Sequence, residues 1–191
     1  MCIVSTGYNN NDKFRIEYSL NSIFTQNYTN YKAVIINDGS TDGSDEVYRK
    51  YFEFYQIDKA HYTYIENKER ITSLENLYLA TINHCSKDSI VVTLDADDEF
   101  NGRNVLKVFN WGYTTKKSGV LYSNLFVYQP PTKVNGGFTK EYSDNEKKNN
   151  LYRDSPMKFS IYVRLEQNFF QRFPLNTLRT KMVNFSQLLV I

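Results

Sequence analysis

From Cys2 to Phe109 the chain alternates short apolar runs with segments of helical period, and this alternation constrains the fold more than any other feature. Cys2-Ile3-Val4-Ser5-Thr6 is a strand candidate, followed by Ile16, Leu20, Ile23 and Phe24 at helical spacing. Ala33-Val34-Ile35-Ile36 is apolar at every position, as expected of a strand buried on both faces. Val47, Tyr48, Tyr51, Phe52 and Tyr55 then share one helical face. Tyr62-Thr63-Tyr64-Ile65 precedes the stripe Leu74, Leu77, Tyr78, Thr81, Ile82 and Cys85. The apolar run 90–94 precedes Val105, Leu106, Val108 and Phe109, and one further strand is expected over 120–128. Such alternation specifies a parallel sheet covered by helices. Ligands gather at the carboxyl ends of the strands in sheets of this kind. The polar residues there are 6–9, 37–41, 67–70 and 95–98.

The texture changes after Tyr128. Residues 129–158 hold three of the four prolines, the Gly136-Gly137 pair and a charged run, and read as a long polar loop. Residues 159–191 regain apolar character without a clean period and stop inside the run Leu188-Leu189-Val190-Ile191. The expectation is an α/β unit over 1–128, the loop over 129–158, and a short, truncated segment over 159–191. Net charge is only +2, so nothing in the total points to nucleic acid or an anionic membrane. No apolar run approaches the roughly 20 residues of a membrane span, and no signal peptide is visible. A place in the cytoplasm or on the cytosolic face of a membrane is expected. The two cysteines, Cys2 and Cys85, are too few for a disulfide scaffold and are expected to be reduced, buried thiols.

The strongest local feature is the run 90–94 passing directly into Asp95-Ala96-Asp97-Asp98-Glu99. Carboxylates crowded at one strand end repel one another unless a cation relieves them. Mg²⁺ or Mn²⁺ does so with one or two carboxylates, completing its shell with water and phosphate oxygens. An ordinary solvated acidic loop is the competing reading, and placement at the end of a buried strand disfavours it. An EF-hand loop would begin at Asp97, but its twelfth position is Val108 instead of Glu, and a strand precedes it instead of a helix.

The second feature is Asn37-Asp38-Gly39-Ser40-Thr41-Asp42-Gly43-Ser44. Glycines allow a tight turn and close approach to a ligand, Asp38 offers an acceptor to a base or ribose, and Thr41 or Asp42 can cap the following helix. An Asp-Gly hairpin is the alternative, but the residues that follow have helical spacing.

Together with Thr6-Gly7-Tyr8-Asn9 and Ser22-Ile23-Phe24-Thr25-Gln26, these motifs resemble the family 2 glycosyltransferases of GT-A fold, over about residues 2–106. The resemblance implies an open, twisted, mostly parallel sheet with a nucleotide-sugar site at its carboxyl edge. Thr6, Tyr8 and Asn9 match the family's polar first turn. Asp38 occupies the position expected to contact the uracil, although Asn37 replaces the preceding Asp. Asp95-Ala96-Asp97-Asp98 matches the Asp-x-Asp signature, with Asp95 on the ribose and Asp97 or Asp98 on the metal. In the middle segment Asn76 is retained, but the usual Gly is lost and Glu75 stands where an Arg is usual. Arg70 or Lys68 is then the available source of positive charge for the diphosphate.

The implied activity is metal-dependent, inverting transfer of a sugar from a nucleotide-diphosphate donor, expected to be UDP-linked, to an acceptor hydroxyl of unidentified chemistry. Inversion needs a general base on the acceptor side. Glu141, Asp144, Asp154 and Glu166 are the acids available downstream, and none carries a family pattern. A relative that binds nucleotide-sugar without turnover is therefore the alternative. A sugar-phosphate nucleotidyltransferase ranks below both, because Thr6-Gly7-Tyr8 lacks the Gly-rich, Arg-bearing first turn it requires.

Overall fold

In the computed structural model the described residues are 1–116 apart from 13, together with the backbone at 120–122, 125–129, 132–137, 145, 148 and 161–163. The strands β1 (Cys2–Gly7), β2 (Lys32–Asn37), β3 (Tyr62–Glu66) and β4 (Val91–Asp95) form one parallel sheet in the order β3-β2-β1-β4. The helices α1 (Arg15–Phe24), α2 (Ser44–Phe54), α3 (Ser73–His84) and α4 (Val105–Lys116) follow the strands in turn.

Period-2 alternation along the central strands sorts two cores. Ile3, Ala33, Ile35, Val92 and Leu94 face Ile16, Leu20 and Ile23 of α1, Tyr48, Tyr51 and Phe52 of α2, and Leu106 and Phe109 of α4. Cys2, Val4, Val34, Ile36 and Val91 face the other way, onto Ala80 of α3 and Cys85. This two-sided covering is why the run from Ala33 to Ile36 carries no polar residue. β3, at the sheet edge, is only half-buried until its exposed last residue Glu66, and alternates Tyr with Thr and Ile.

Three expectations are corrected. Cys2 and Cys85 are joined in a disulfide, with Cα atoms 5.6 Å apart, instead of being reduced thiols. Their separation of 83 residues hides the pairing in sequence. It follows from α3 packing along β1 so that the helix's end returns to the strand's start. The strand expected over 120–128 is two, β5 (Val120–Tyr122) and β6 (Leu125–Gln129), which pair in different sheets. The expected loop also contains structure: β7 (Thr132–Gly137) runs antiparallel to β6, with a register shift between Val127 and Gln129. A short β8 (Ile161–Val163) pairs antiparallel with β5 in the segment that showed no period. No helix among the described residues is long and apolar enough to cross a membrane.

Candidate functional site

The carboxyl ends of the four parallel strands continue as loops that stay hydrogen-bonded to one another. Asp38 N–H donates to the Gly7 carbonyl (2.8 Å), Asn67 N–H to that of Asn37 (2.9 Å), and Ala96 N–H to that of Thr6 (3.0 Å). Close approach dictates Gly7: a Cβ there would lie 2.7 Å from Ala96 Cβ and 2.8 Å from the Tyr48 hydroxyl. Gly39 is bound twice over. Its φ is +69°, and a Cβ would meet the Glu69 and Arg70 backbone at 2.7 and 2.8 Å.

Asp38 is buried, and its carboxylate organises the loop between β3 and α3. Oδ1 accepts from the Asn67 amide (2.9 Å) and from Ile71 N–H (2.9 Å), and Oδ2 from Thr72 N–H (3.1 Å). Asn67 also donates to Asn76 Oδ1 at 2.8 Å. Burial alone would raise the Asp38 pKa, but the bonds from Ile71, Asn67 and Thr72, helped by the nearby Asn76 amide, outweigh it and bring the pKa below its ordinary value. The Asn76 Nδ2 itself completes no hydrogen bond, although the residue is buried. The anion therefore sits at the N-terminus of α3, where the helix dipole favours negative charge. Thr72, the residue before α3, is held at φ 93°, a rare conformation for a β-branched side chain.

This anchored loop carries Arg70, whose guanidinium lies 4.1 Å from the centre of the Tyr8 ring. Thr6 is in register with Asp95 across β1 and β4, and its hydroxyl bonds that of Ser73 at 2.8 Å. The residue flanking α2 is Gly43, with no side-chain cap, instead of Thr41 or Asp42; Asp42 Oδ1 accepts from Ser44 N–H at 3.0 Å and from the Ser44 hydroxyl at 2.6 Å. It also holds the first turn, accepting from Asn11 N–H on Oδ2 at 2.9 Å.

The acidic turn after β4 is built differently. Asp98 N–H donates to the Asp95 carbonyl (3.0 Å), which closes the turn. Asp95 and Asp97 are exposed, and Asp98 is half-buried. The pKa values of Asp95 and Asp98 are both raised, first by desolvation and then by the charge of Asp97. Asp95 is open on one side, yet the protein around its carboxyl still removes enough water to disfavour the ion. Arg15, the first residue of α1, offsets part of this. Its guanidinium lies 3.4 Å from Asp97 and 3.1 Å from Asp12, and its charge favours the ionised form of Asp98.

The turn's exit is braced by the Ser22–Gln26 motif, which runs from the last turn of α1 to just past its end. Phe100 N–H donates to Ser22 Oγ (3.0 Å), Leu106 N–H to Gln26 Oε1 (3.2 Å), and Gln26 Nε2 to the Gly102 carbonyl (2.7 Å). These bonds fix where the acidic turn leaves the sheet.

The structure thus brings Tyr8 to Arg70, Asp38 to Asn76 through Asn67, and Thr6 to Asp95. Asp97 and Asp98 stand in the same turn as Asp95. Arg15 was not singled out from sequence. The available signal was a cation at the first position of a helix, where the dipole opposes it. The acids Glu141, Asp144, Asp154 and Glu166 lie outside the described residues.

The donors in the turn are hard carboxylate oxygens beside a cation that already stands where positive charge is needed. Among the described residues no group of three or more His, Cys, Asp or Glu side chains is placed to hold a metal ion.

The model of the family described as "Glycosyl transferase family 2" matches residues 2–176. The chain belongs to this family. Among solved structures, this family 2 chain is similar to the mannosyltransferase PcManGT from Pyrobaculum calidifontis, in complex with GDP-Man and Mn²⁺, with a TM-score of 0.53 and 25% identity. That similarity covers 62% of this chain and 33% of the other. It is also similar in fold to S. aureus TarS 1-349, with a TM-score of 0.52 and 21% identity over 63% of this chain and 34% of that one. TarS structures with UDP and with UDP-GlcNAc give TM-scores of 0.52 and 0.50. The family 2 chain thus spans about a third of the length of these structures. No curated protein matches it. The sheet order, the flanking helices and these neighbours give the chain the GT-A fold.

Proposed function

We propose that this chain binds a nucleotide-diphosphate sugar, UDP-linked, and transfers the sugar to an acceptor hydroxyl with inversion. The observation that carries the reading is the junction across β1. Thr6 is in register with Asp95 of the acidic turn, and through Ser73 it touches the helix whose N-terminus Asp38 holds. One face therefore offers acceptors for a ribose and base, a cation for phosphate, and carboxylates for a metal.

In this reading Asp38 and Tyr8 flank the nucleoside, Asp95 accepts from the ribose, and Asn76 lies beneath them. Arg70 leaves the Tyr8 ring to donate to the diphosphate. Asp97 or Asp98 holds Mn²⁺ or Mg²⁺, which when bound supplies positive charge to the phosphates and the departing nucleotide. GDP-Man and Mn²⁺ in PcManGT support the use of a metal with a nucleotide-sugar. UDP in TarS supports the same donor class. An acceptor-side base completes the reaction by taking the hydroxyl proton.

Calorimetry with UDP, GDP and Mn²⁺ tests the donor site. Metal-dependent binding of UDP in preference to GDP is expected, and no binding of either nucleotide with metal refutes the reading. Binding without turnover is the second reading: the acids Glu141, Asp144, Asp154 and Glu166, from which an acceptor-side base would come, carry no family pattern. Sustained release of label from a radiolabelled UDP-sugar eliminates it.

A further inference from the structure

Arg15 stands against its own helix. A cation in the first turn of α1 opposes the positive end of the dipole. The residue before it, Phe14, has φ 60°, a left-handed conformation that an aromatic residue rarely adopts. Local preference is thus overridden twice to aim this side chain. Two carboxylates hold it there, Asp12 at 3.1 Å and Asp97 at 3.4 Å. Its side chain remains 43% exposed, so a ligand can reach it. Arg103, by contrast, donates its Nε to the Thr25 carbonyl and touches no carboxylate among the described contacts.

We infer that Arg15 couples metal and nucleotide binding: its guanidinium holds Asp97 until a divalent cation takes that carboxylate, and it then donates to the donor's diphosphate. The inference rests on the proposed metal–diphosphate site. A cation must displace Arg15 to reach Asp97, so metal alone binds weakly. A planar guanidinium matches phosphate oxygens as well as carboxylate, so a nucleotide diphosphate gives the displaced side chain a new partner. Each ligand then strengthens the other, because a coupling free energy is reciprocal. The same carboxylate is kept in place, and partly neutralised, before either ligand arrives.

The test measures Mn²⁺ binding to the full chain by electron paramagnetic resonance of the free ion, with and without UDP, in wild type, Arg15→Gln, Arg15→Lys and Arg103→Gln. An exposed ion pair of this length implies that Arg15→Gln binds Mn²⁺ alone roughly twofold to fivefold more tightly. The gain in Mn²⁺ affinity on adding UDP should shrink in this variant. Arg15→Lys should keep most of the coupling, and Arg103→Gln all of it. Equal or weaker Mn²⁺ binding by Arg15→Gln, or an undiminished UDP gain, overturns the role of Arg15 and leaves the metal site standing. An equal effect from Arg103→Gln also overturns it, by reducing it to a general field. No Mn²⁺ binding by any of the proteins, with UDP present, overturns the proposed site and this inference together.

Discussion

Two aspartate-bearing strand ends lie on the same edge of the sheet and use the same functional group in opposite ways. At the end of β2, Asp38 is buried, accepts three hydrogen bonds from the loop before α3, and has its pKa lowered. At the end of β4, Asp95 and Asp98 have their pKa values raised by desolvation and by Asp97. The first carboxylate is tied into the fold through three of its roughly four acceptor sites. The second group is tied to the fold far less, with Arg15 beside Asp97 as its charged neighbour. A sequence motif marks both, but only the network around each shows which kind it is.

The largest expected effect comes from the anchor behind the Asp38 side. The disulfide ties α3 to the start of β1 across 83 residues, so the Cys2→Ser, Cys85→Ser double variant should lose about 4 kcal/mol in urea unfolding. The contrast sharpens if the loss is accompanied by faster amide exchange at Ile71 and Thr72 but not at Asp98. Next is Asp38→Ala, which strands two backbone N–H groups and the Asn67 amide and should cost roughly 2–4 kcal/mol. Asp97→Asn should change stability by only about 0.5 kcal/mol, because the pair it breaks is exposed, while weakening Mn²⁺ binding sharply. Equal losses in these two variants would erase the distinction between the strand ends.

Acid makes the same comparison without changing side-chain shape. Asp38 is depressed below 3.8, so its contribution to stability is complete above that pH and is withdrawn as the pH falls further. Asp95 and Asp98 are raised above 3.8, so their ions penalise the folded state at neutral pH. The penalty is relieved as the pH falls through the raised values toward 3.8. An Asp95→Asn, Asp98→Asn variant should therefore exceed wild type in stability at pH 7, and the gap should close on acidification. An Asp38→Asn variant should lose the steep decline below 3.8. A gap between the double variant and wild type that stays constant with pH would show that the acidic turn carries no charge strain.

Much of the sheet was legible because buried parallel strands leave a strong local signature. The four strand ends, Asp38 and the acidic turn all lie where alternation and motif spacing predicted. Three of the misses share a physical cause: they depend on residues far apart in sequence. The Cys2–Cys85 bond needs the packing of α3 on β1, and the role of Asp38 needs the loop 67–72 folded back over Gly39. Arg15 needs Asp97, 82 residues away. β7 was misread because Gly136-Gly137 suggests a turn, and pairing with β6 overrode that local preference.

The smallest expected effect probes the contact between Tyr8 and Arg70, which lies between the two strand ends. Arg70 is exposed, so its cation–π contact at 4.1 Å should contribute only about 0.5 kcal/mol, and Tyr8→Leu should barely move the unfolding midpoint. Its value as a test is in binding. If Arg70 must leave the ring to meet a diphosphate, Tyr8→Leu frees it in advance, and part of the lost stacking on the nucleoside is offset. Arg70→Gln has no such compensation and should weaken UDP more than Tyr8→Leu does, although both variants remove the same contact. Equal weakening would mean that Arg70 serves only to hold Tyr8, and would return it to the structural side of the comparison with Asp38.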